Sequence, residues 1–455
     1  MSAITSLAKW AAEVSDDHGV EAYARARAGI IDTIACLVAG TYDPAVGATR
    51  DAISAWGEGA ATVVGTPIGR PAPWAALANG TAANALDFDD YDVPAVSHPS
   101  AAILPALLAI GEENGISGRS LLDAYIVGIE VQMRVGEALN MSHFDKGFHS
   151  TATIGTLAAT VASARLLGLD EIATGNALAI ATSLAAGFKS QLGTTTIHLH
   201  TGLAAHNGVL AAGLGAAGAT GSSEALDGEW GTLRLMADND APGFAGPLAK
   251  LGNPLAIEEY GLCVKPYPCC SYATASIDAL LGLRADHKLC SEDIVRITAT
   301  IPAQNIELLK FPEPADELEA RFSMEYCLAV ASLNGAVVVS DFDPAAVSHE
   351  AVRNFLPRVS MEALPEGPEP RSAGFQPETV TVELTDGRTF ARTIHEVRGS
   401  PALPLTEIEL LEKFDSCVEC LPAQNDRNLL KQALLDIGTL EDIRELTVHL
   451  PTRLR

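Results

Sequence analysis

A chain of 455 residues, 48% hydrophobic, can bury a core large enough for two or three domains. Its net charge of −27 and pI near 4.7 argue against nucleic acid and anionic membrane surfaces as partners, but not against a small anion held by local cations. The opening Met1-Ser-Ala-Ile-Thr-Ser-Leu lacks a basic segment followed by an apolar one, and no apolar run reaches the roughly 18 residues of a membrane span. The expectation is a cytoplasmic protein without a membrane partner. Eight cysteines in so long a chain point to reduced thiols. Cys417-Val-Glu-Cys420 stands alone in a Glu/Leu-rich helical pattern and reads as helix thiols rather than a zinc or redox pair.

Residues 1 to about 260 read as helix after helix, rich in Ala, Leu and Gly and free of alternating strands. Glu21 to Ala39, Ser117 to Arg134 and Gly155 to Leu169 carry helical periodicity. With only 5% aromatics, these helices should approach backbone to backbone. The GxGxxG match at Gly213 to Gly218 lies within helical sequence with no strand before it, so it is not a dinucleotide fingerprint.

Between two such helices lies Asn84-Ala-Leu-Asp87-Phe-Asp89-Asp90-Tyr91-Asp92-Val-Pro-Ala-Val-Ser-His98. A charged loop wedged between helices meant for burial is costly unless those groups are used, although Asp also serves as a helix cap. Further charged islands follow in order. They are Lys146-Gly-Phe-His149-Ser-Thr, then Lys189 to His198-Leu-His200, then Lys265-Pro-Tyr267-Pro-Cys269-Cys270, and finally Arg321-Phe-Ser-Met-Glu-Tyr326. Cys269 and Cys270 read as buried small residues.

The pattern changes after Lys265. A helix from Ala273 to Leu283 leads to a strand in which Val295, Ile297, Ala299 and Ile301 alternate inward. Thr379 to Ile394 is a hairpin turning at Asp386-Gly387, and the tail from Leu405 to Leu440 returns to helix. The predicted fold class is therefore mainly α. It combines a large all-helical domain (1–260 and 400–455) with a smaller α+β domain (261–399).

Five motifs, taken in order, resemble the MmgE/PrpD family from end to end: Asn84-Ala-Leu-Asp-Phe-Asp-Asp, His98-Pro-Ser-Ala-Ala-Ile-Leu-Pro-Ala, Gly147-Phe-His-Ser-Thr, Lys265-Pro-Tyr-Pro-Cys-Cys and Arg321-Phe-Ser-Met-Glu-Tyr. Members of that family include 2-methylcitrate dehydratase, cis-aconitate decarboxylase and iminodisuccinate epimerase. The resemblance implies a homodimer whose α+β domain is a lid, with chemistry that needs no metal or organic cofactor. It places His149, Lys265, His98, Asp87 and Tyr326 among the catalytic groups, with Asp87 as an orienting carboxylate. Tyr91, Lys189, His198, His200 and Tyr267 are expected to bind substrate. Two departures stand out. Tyr91 replaces a common threonine, and Ile197 followed by His198 stands where many members carry lysine.

The resemblance implies formation of a carbanion next to a carboxylate of a small di- or polycarboxylate. Such chemistry requires an acid or base and cations to hold the enolate. The altered Ile197-His198 segment and Tyr91 favour an epimerase resembling iminodisuccinate epimerase. A dehydratase or a decarboxylase is the alternative, and a non-catalytic dimeric binding protein a remote one. Lys265 is expected to be needed for turnover but not for folding.

Overall fold

The computed structural model describes residues 1–365, 375–421 and 424–452. The chain forms two units. The first comprises Met1–Ala85, Asp89–Val264 and Thr406–Arg455, and the second Leu86–Phe88 with Lys265–Leu405. No helix among the described residues is long and apolar enough to cross a membrane.

The first unit is helical, as its periodicity predicts. Gly19–Gly40 is apolar at its end and buries Ile30 through Val38. Gly118–Asp145 starts on Ser117, whose hydroxyl accepts from the Ser120 N–H and so satisfies one orphan donor of the first turn. The sparse aromatics have the expected packing consequence. A Cβ on Gly80 would lie 2.9 Å from Gly202 Cα, and one on Gly202 would lie 2.2 Å from the Leu77 carbonyl oxygen. The helices Ala72–Asn84 and Thr196–Ala216 therefore cross with no room for a side chain. Gly208 is equally tight against Ala159 of the helix Ser150–Leu166, where a Cβ would meet the Ala159 carbonyl carbon at 2.7 Å. These two crossings fix the histidine-bearing ends of the helices. The GxGxxG match falls at the end of Thr196–Ala216, with Gly218 at φ +87° just beyond it.

The second unit carries a four-stranded sheet in the order β2-β1-β3-β4, with β1 Ile294–Ile301, β2 Val359–Ala363, β3 Glu378–Leu384 and β4 Thr389–Ile394. β1 runs parallel to β2 and antiparallel to β3, and β3 and β4 form the hairpin predicted at Asp386-Gly387. Gly387 adopts φ +86°, which the turn requires of it. The helices Thr274–His287 and Met324–Asn334 pack against the strands around Ile277, Leu280, Ile297, Leu328, Val380 and Val382. One expectation needs correcting. Val295 is 49% exposed and Ile294 takes the inward place, because the β1–β3 register shifts between Ile294 and Arg296. The helical tail is present as Glu407–Cys417, entered through a Thr406–Glu409 capping box, and Gln424–Leu435.

Candidate active site

In the first unit, two helix crossings bring four histidines into one polar cluster. His98 and His149 are the residues at which the helices Pro99–Asn114 and Ser150–Leu166 begin, and neither side chain caps its own helix. The His98 N–H donates to Thr151 Oγ1 at 3.1 Å, tying the two helix starts together. His149 is anchored through its N–H to the Gly187 carbonyl at 3.0 Å. His200, from the first turns of Thr196–Ala216, places its Nδ1 3.0 Å from His149 Nδ1. One of these nitrogens must carry the proton and the other accept it. His198 Nδ1 lies 3.2 Å from Asn84 Oδ1 at the end of Ala72–Asn84, where the Gly80–Gly202 crossing holds the two helices together.

Burial, then the neighbouring imidazoles of His200, His98 and His198, holds the His149 pKa well below the ordinary histidine value, with Asp89 opposing. Burial also lowers His200. Both rings are therefore neutral at neutral pH when nothing is bound. The positive ends of two helices of 16 and 17 residues meet here, so an anion entering the cluster is favoured by their dipoles as well.

The acidic loop divides its work among its members. The His98 Nδ1 donates to the Asp90 carbonyl at 2.9 Å and lies 3.2 Å from Asp89 Oδ2, and Asn84 Nδ2 donates to both Asp89 oxygens at 3.1 and 3.2 Å. The carboxylate that orients a histidine in this unit is thus Asp89. Asp90 is fully buried against the hydroxyl of Ser100. Burial, with the Asp32 charge behind it, raises the Asp90 pKa well above the carboxylate range. Asp92 accepts from the Ala95 N–H at 2.6 Å and from the Ser97 hydroxyl, and burial raises it to about 6. It braces the 92–97 turn, in which Val96 sits at φ +52°, a strained value for a β-branched residue. Tyr91 is half-buried, and its backbone exchanges two 2.9 Å hydrogen bonds with Cys263.

Asp87 lies in the second unit, where it forms a buried ion pair with Lys265. Lys265 Nζ donates to Asp87 Oδ1 at 2.6 Å and to the Asp87 carbonyl at 2.8 Å, with 2% and 9% of the two side chains exposed. Asp87 holds φ +49° to present both oxygens. Beside the pair, Cys269 hydrogen-bonds to the Cys327 thiol, and that bond and burial raise its pKa well above the usual value. Burial puts the Cys270 thiol at about 12. Neither thiol is a nucleophile at neutral pH.

Two assignments from sequence change here. Tyr326 is fully buried and its hydroxyl donates to the Asp341 carbonyl, so it anchors the core of the second unit rather than standing ready as a proton donor. Tyr267 is buried too; its hydroxyl donates to Asp278 at 2.7 Å and accepts from Arg398 at 2.9 Å, which makes it a packing tie rather than a substrate contact. Lys189 is half-buried, with its ammonium 3.9 Å from the centre of the Phe144 ring. Ile197 is buried in its helix.

His143 was not singled out by sequence, yet it supports the start of the His149 helix. Its ring stacks on Phe148, its Nδ1 faces the Met236 carbonyl at 3.1 Å, and its Nε2 meets Thr153 Oγ1 at 2.7 Å. Burial lowers its pKa to about 4. Between pH 6.5 and 4 the unfolded chain binds a proton that the folded chain refuses. The contribution is complete above 6.5 and is lost as pH falls, by about 3 kcal/mol in all. Asp92, with its raised pKa, works in the opposite sense, so the comparison must be between variants. Denaturant unfolding of wild type and His143→Gln at neutral and acid pH should show a shallower acid loss in the variant. Equal losses would exclude His143 as the source.

Comparison with known proteins places the whole chain in a family. A family profile described as the MmgE/PrpD N-terminal domain matches residues 5–245, and one described as the MmgE/PrpD C-terminal domain matches residues 267–436. Over 400 residues the chain is 32% identical to a human protein named cis-aconitate decarboxylase, covering 86% of this chain and 82% of that one. The mouse protein of the same name is 30% identical over 85% and 80% of the two chains. One of that name from Aspergillus terreus is 26% identical over 97% and 94%.

Proposed function

The chain belongs to the MmgE/PrpD family of enzymes, and from that premise we propose that it is a lyase releasing CO2 from an unsaturated tricarboxylate of the cis-aconitate kind. The observation that carries this reading is the set of decarboxylase relatives, the human one matching 86% of this chain at 32% identity. It takes precedence over the imino-dicarboxylate epimerase suggested by Ile197 and Tyr91, since that reading rests on two local departures only.

The histidine cluster supplies chemistry that fits. Loss of CO2 leaves an electron pair on carbon, delocalised as the enolate of a neighbouring carboxylate, and one proton quenches it. Burial and the neighbouring imidazoles keep His149 neutral, and burial keeps His200 neutral. A bound polyanion reverses the electrostatics and raises both imidazoles, so substrate itself loads a proton onto the pair. The proton passes from His149 to the carbanion and is replaced from solvent through His200. His98, oriented by Asp89, and the two helix N-termini hold substrate carboxylates. The scheme invokes no metal or organic cofactor.

The test is incubation with cis-aconitate in D2O, followed by NMR and CO2 capture. One deuteron should be built into product for each CO2 lost. Exchange without CO2 release from an imino- or amino-dicarboxylate would restore the epimerase, and a new alkene from a hydroxy acid would indicate a dehydratase. No turnover of any of these compounds would overturn the assignment.

We further propose that the helix Thr196–Ala216 meets a second copy of this chain. Within this helix Ala204, Ala205, Ala211 and Ala212 are buried by packing inside the unit. The outer side of the same helix instead leaves Leu203, Leu210 and Leu214 at 40, 37 and 38% exposure, a stripe that recurs at helical spacing. Light scattering should give twice the 47.4 kDa chain mass, and Leu210→Glu should shift it toward monomer. A monomeric wild type at micromolar concentration would exclude this interface.

A further inference from the structure

The first unit contains a polar cavity that shares no residue with the histidine cluster. It has a volume of about 270 Å³ and is lined by Arg50, Asp51, Ser54, Gly65, Thr66 and Arg70 among others. Arg50 and Asp51 come from the last turn of the helix Pro44–Ile53, and Arg70 from a loop that turns back along Gly59 to Ala61. Two guanidinium groups at one small cavity are conspicuous in a chain of net charge −27.

Each guanidinium is poorly provided for. Arg50 Nη1 donates to the Val64 carbonyl at 3.3 Å and Arg70 Nη1 to the Gly57 carbonyl at 2.8 Å. Of five N–H donors on each, four therefore have no protein acceptor among the described residues, and no carboxylate forms a salt bridge with either. Arg70 is only 9% exposed, and burial lowers the Arg50 pKa, with Asp51 and Tyr42 opposing. With no acceptor from the protein, these donors are left to solvent, and an oxyanion would engage them through paired, charge-assisted hydrogen bonds.

The walls are preorganised. Ala61 and Arg70 exchange backbone hydrogen bonds at 3.1 and 2.9 Å, and the Val64 N–H donates to Asn79 Oδ1 at 3.0 Å. Thr62 is fixed by Glu112 through its N–H at 2.7 Å and its hydroxyl at 2.5 Å, and the Gly65 N–H donates to the Pro451 carbonyl at 2.7 Å. The lining also includes Asp51, Ser54 and Thr66. A bare dianion would leave Asp51 facing like charge, whereas a ligand that carries hydroxyl groups beside its anion would give Asp51 donors to accept.

We propose that this cavity binds a small hydroxylated oxyanion, a phosphate ester or a hydroxycarboxylate, with its anionic end between Arg50 and Arg70 and a hydroxyl at Asp51. The size suits a three-carbon compound, being below the ~300 Å³ at which drug-sized pockets begin.

The experiment is titration calorimetry of the full chain with glycerol 3-phosphate, with glycerate and with glycerol, each at low and high salt. One of the two anions should bind at one site per chain, more weakly at high salt, while glycerol does not. Binding of glycerol 3-phosphate alone identifies a phosphate-ester site, and of glycerate alone a hydroxycarboxylate site. Arg50→Gln and Arg70→Gln should each raise Kd by about tenfold or more, the loss of a charge-assisted pair, with turnover of cis-aconitate unchanged. Circular dichroism checks the fold, and if Arg70→Gln does not fold, Arg50→Gln decides alone. No binding of either anion, or binding that both arginine variants leave intact, overturns the proposal.

Discussion

Replacing His149 with glutamine should lower kcat by about a thousandfold while KM and the melting temperature change little. General acid catalysis by a positioned side chain contributes about 10²–10⁴ in rate, and burial and the neighbouring imidazoles control the His149 proton. Glutamine retains the volume and a hydrogen bond to His200, so the helix start need not move. The pH profile adds a test that a merely structural histidine would not pass. His149 must be protonated to quench a carbanion, yet burial and the neighbouring imidazoles hold its pKa well below the usual value. Above that pKa the protonated fraction falls as pH rises, so kcat/KM should fall with it. An enzyme using His149 as a base would show the reverse, activity declining toward acid. His200→Asn removes the second of the causes that lower His149 and should move the falling limb to higher pH. A profile that does not respond to His200, or an undiminished kcat in His149→Gln, would remove the pair from the mechanism.

What could be read from sequence follows the range of the interactions involved. The β3–β4 hairpin was legible because Asp386-Gly387 decides its own turn, and the helices because their apolar spacing is local. The phase of β1 was not, since the register shift that turns Val295 outward depends on its pairing with β3, some ninety residues later in the chain. The site shows the same division. His98, His149, His198 and His200 stand in recognisable motifs, and the structure gathers them in one cluster. The tyrosines were misjudged because a hydroxyl's use is set by its partner. Tyr326 meets the carbonyl of Asp341, and Tyr267 meets Arg398 from far along the chain. Sequence left open whether Asp87 orients an imidazole or a lysine; the structure pairs it with Lys265 and leaves Asp89 to His98. His143 had no sequence signal beyond being a lone histidine in an apolar helix.

Lys265 was expected from sequence to be dispensable for folding, and its surroundings reverse that expectation. Its ammonium and the Asp87 carboxylate are 2.6 Å apart with 2% and 9% of their side chains exposed. Removing one partner of a buried pair leaves the other charge unmatched, at a cost of about 3–5 kcal/mol. Lys265→Met should therefore abolish turnover and also lower the unfolding free energy by that order. Asp87→Asn alone should destabilise as well, since the ammonium then loses its counter-charge, although asparagine tolerates the φ of +49°. In the double variant Lys265→Met with Asp87→Asn no charge is stranded, so its loss of stability should be clearly smaller than the sum of the two single losses. The double variant also separates the two roles of the lysine. If it regains stability but stays inactive, Lys265 takes part in turnover, as the family motif implies. If activity returns along with stability, the pair is a structural tie of the second unit and the catalytic assignment of Lys265 falls.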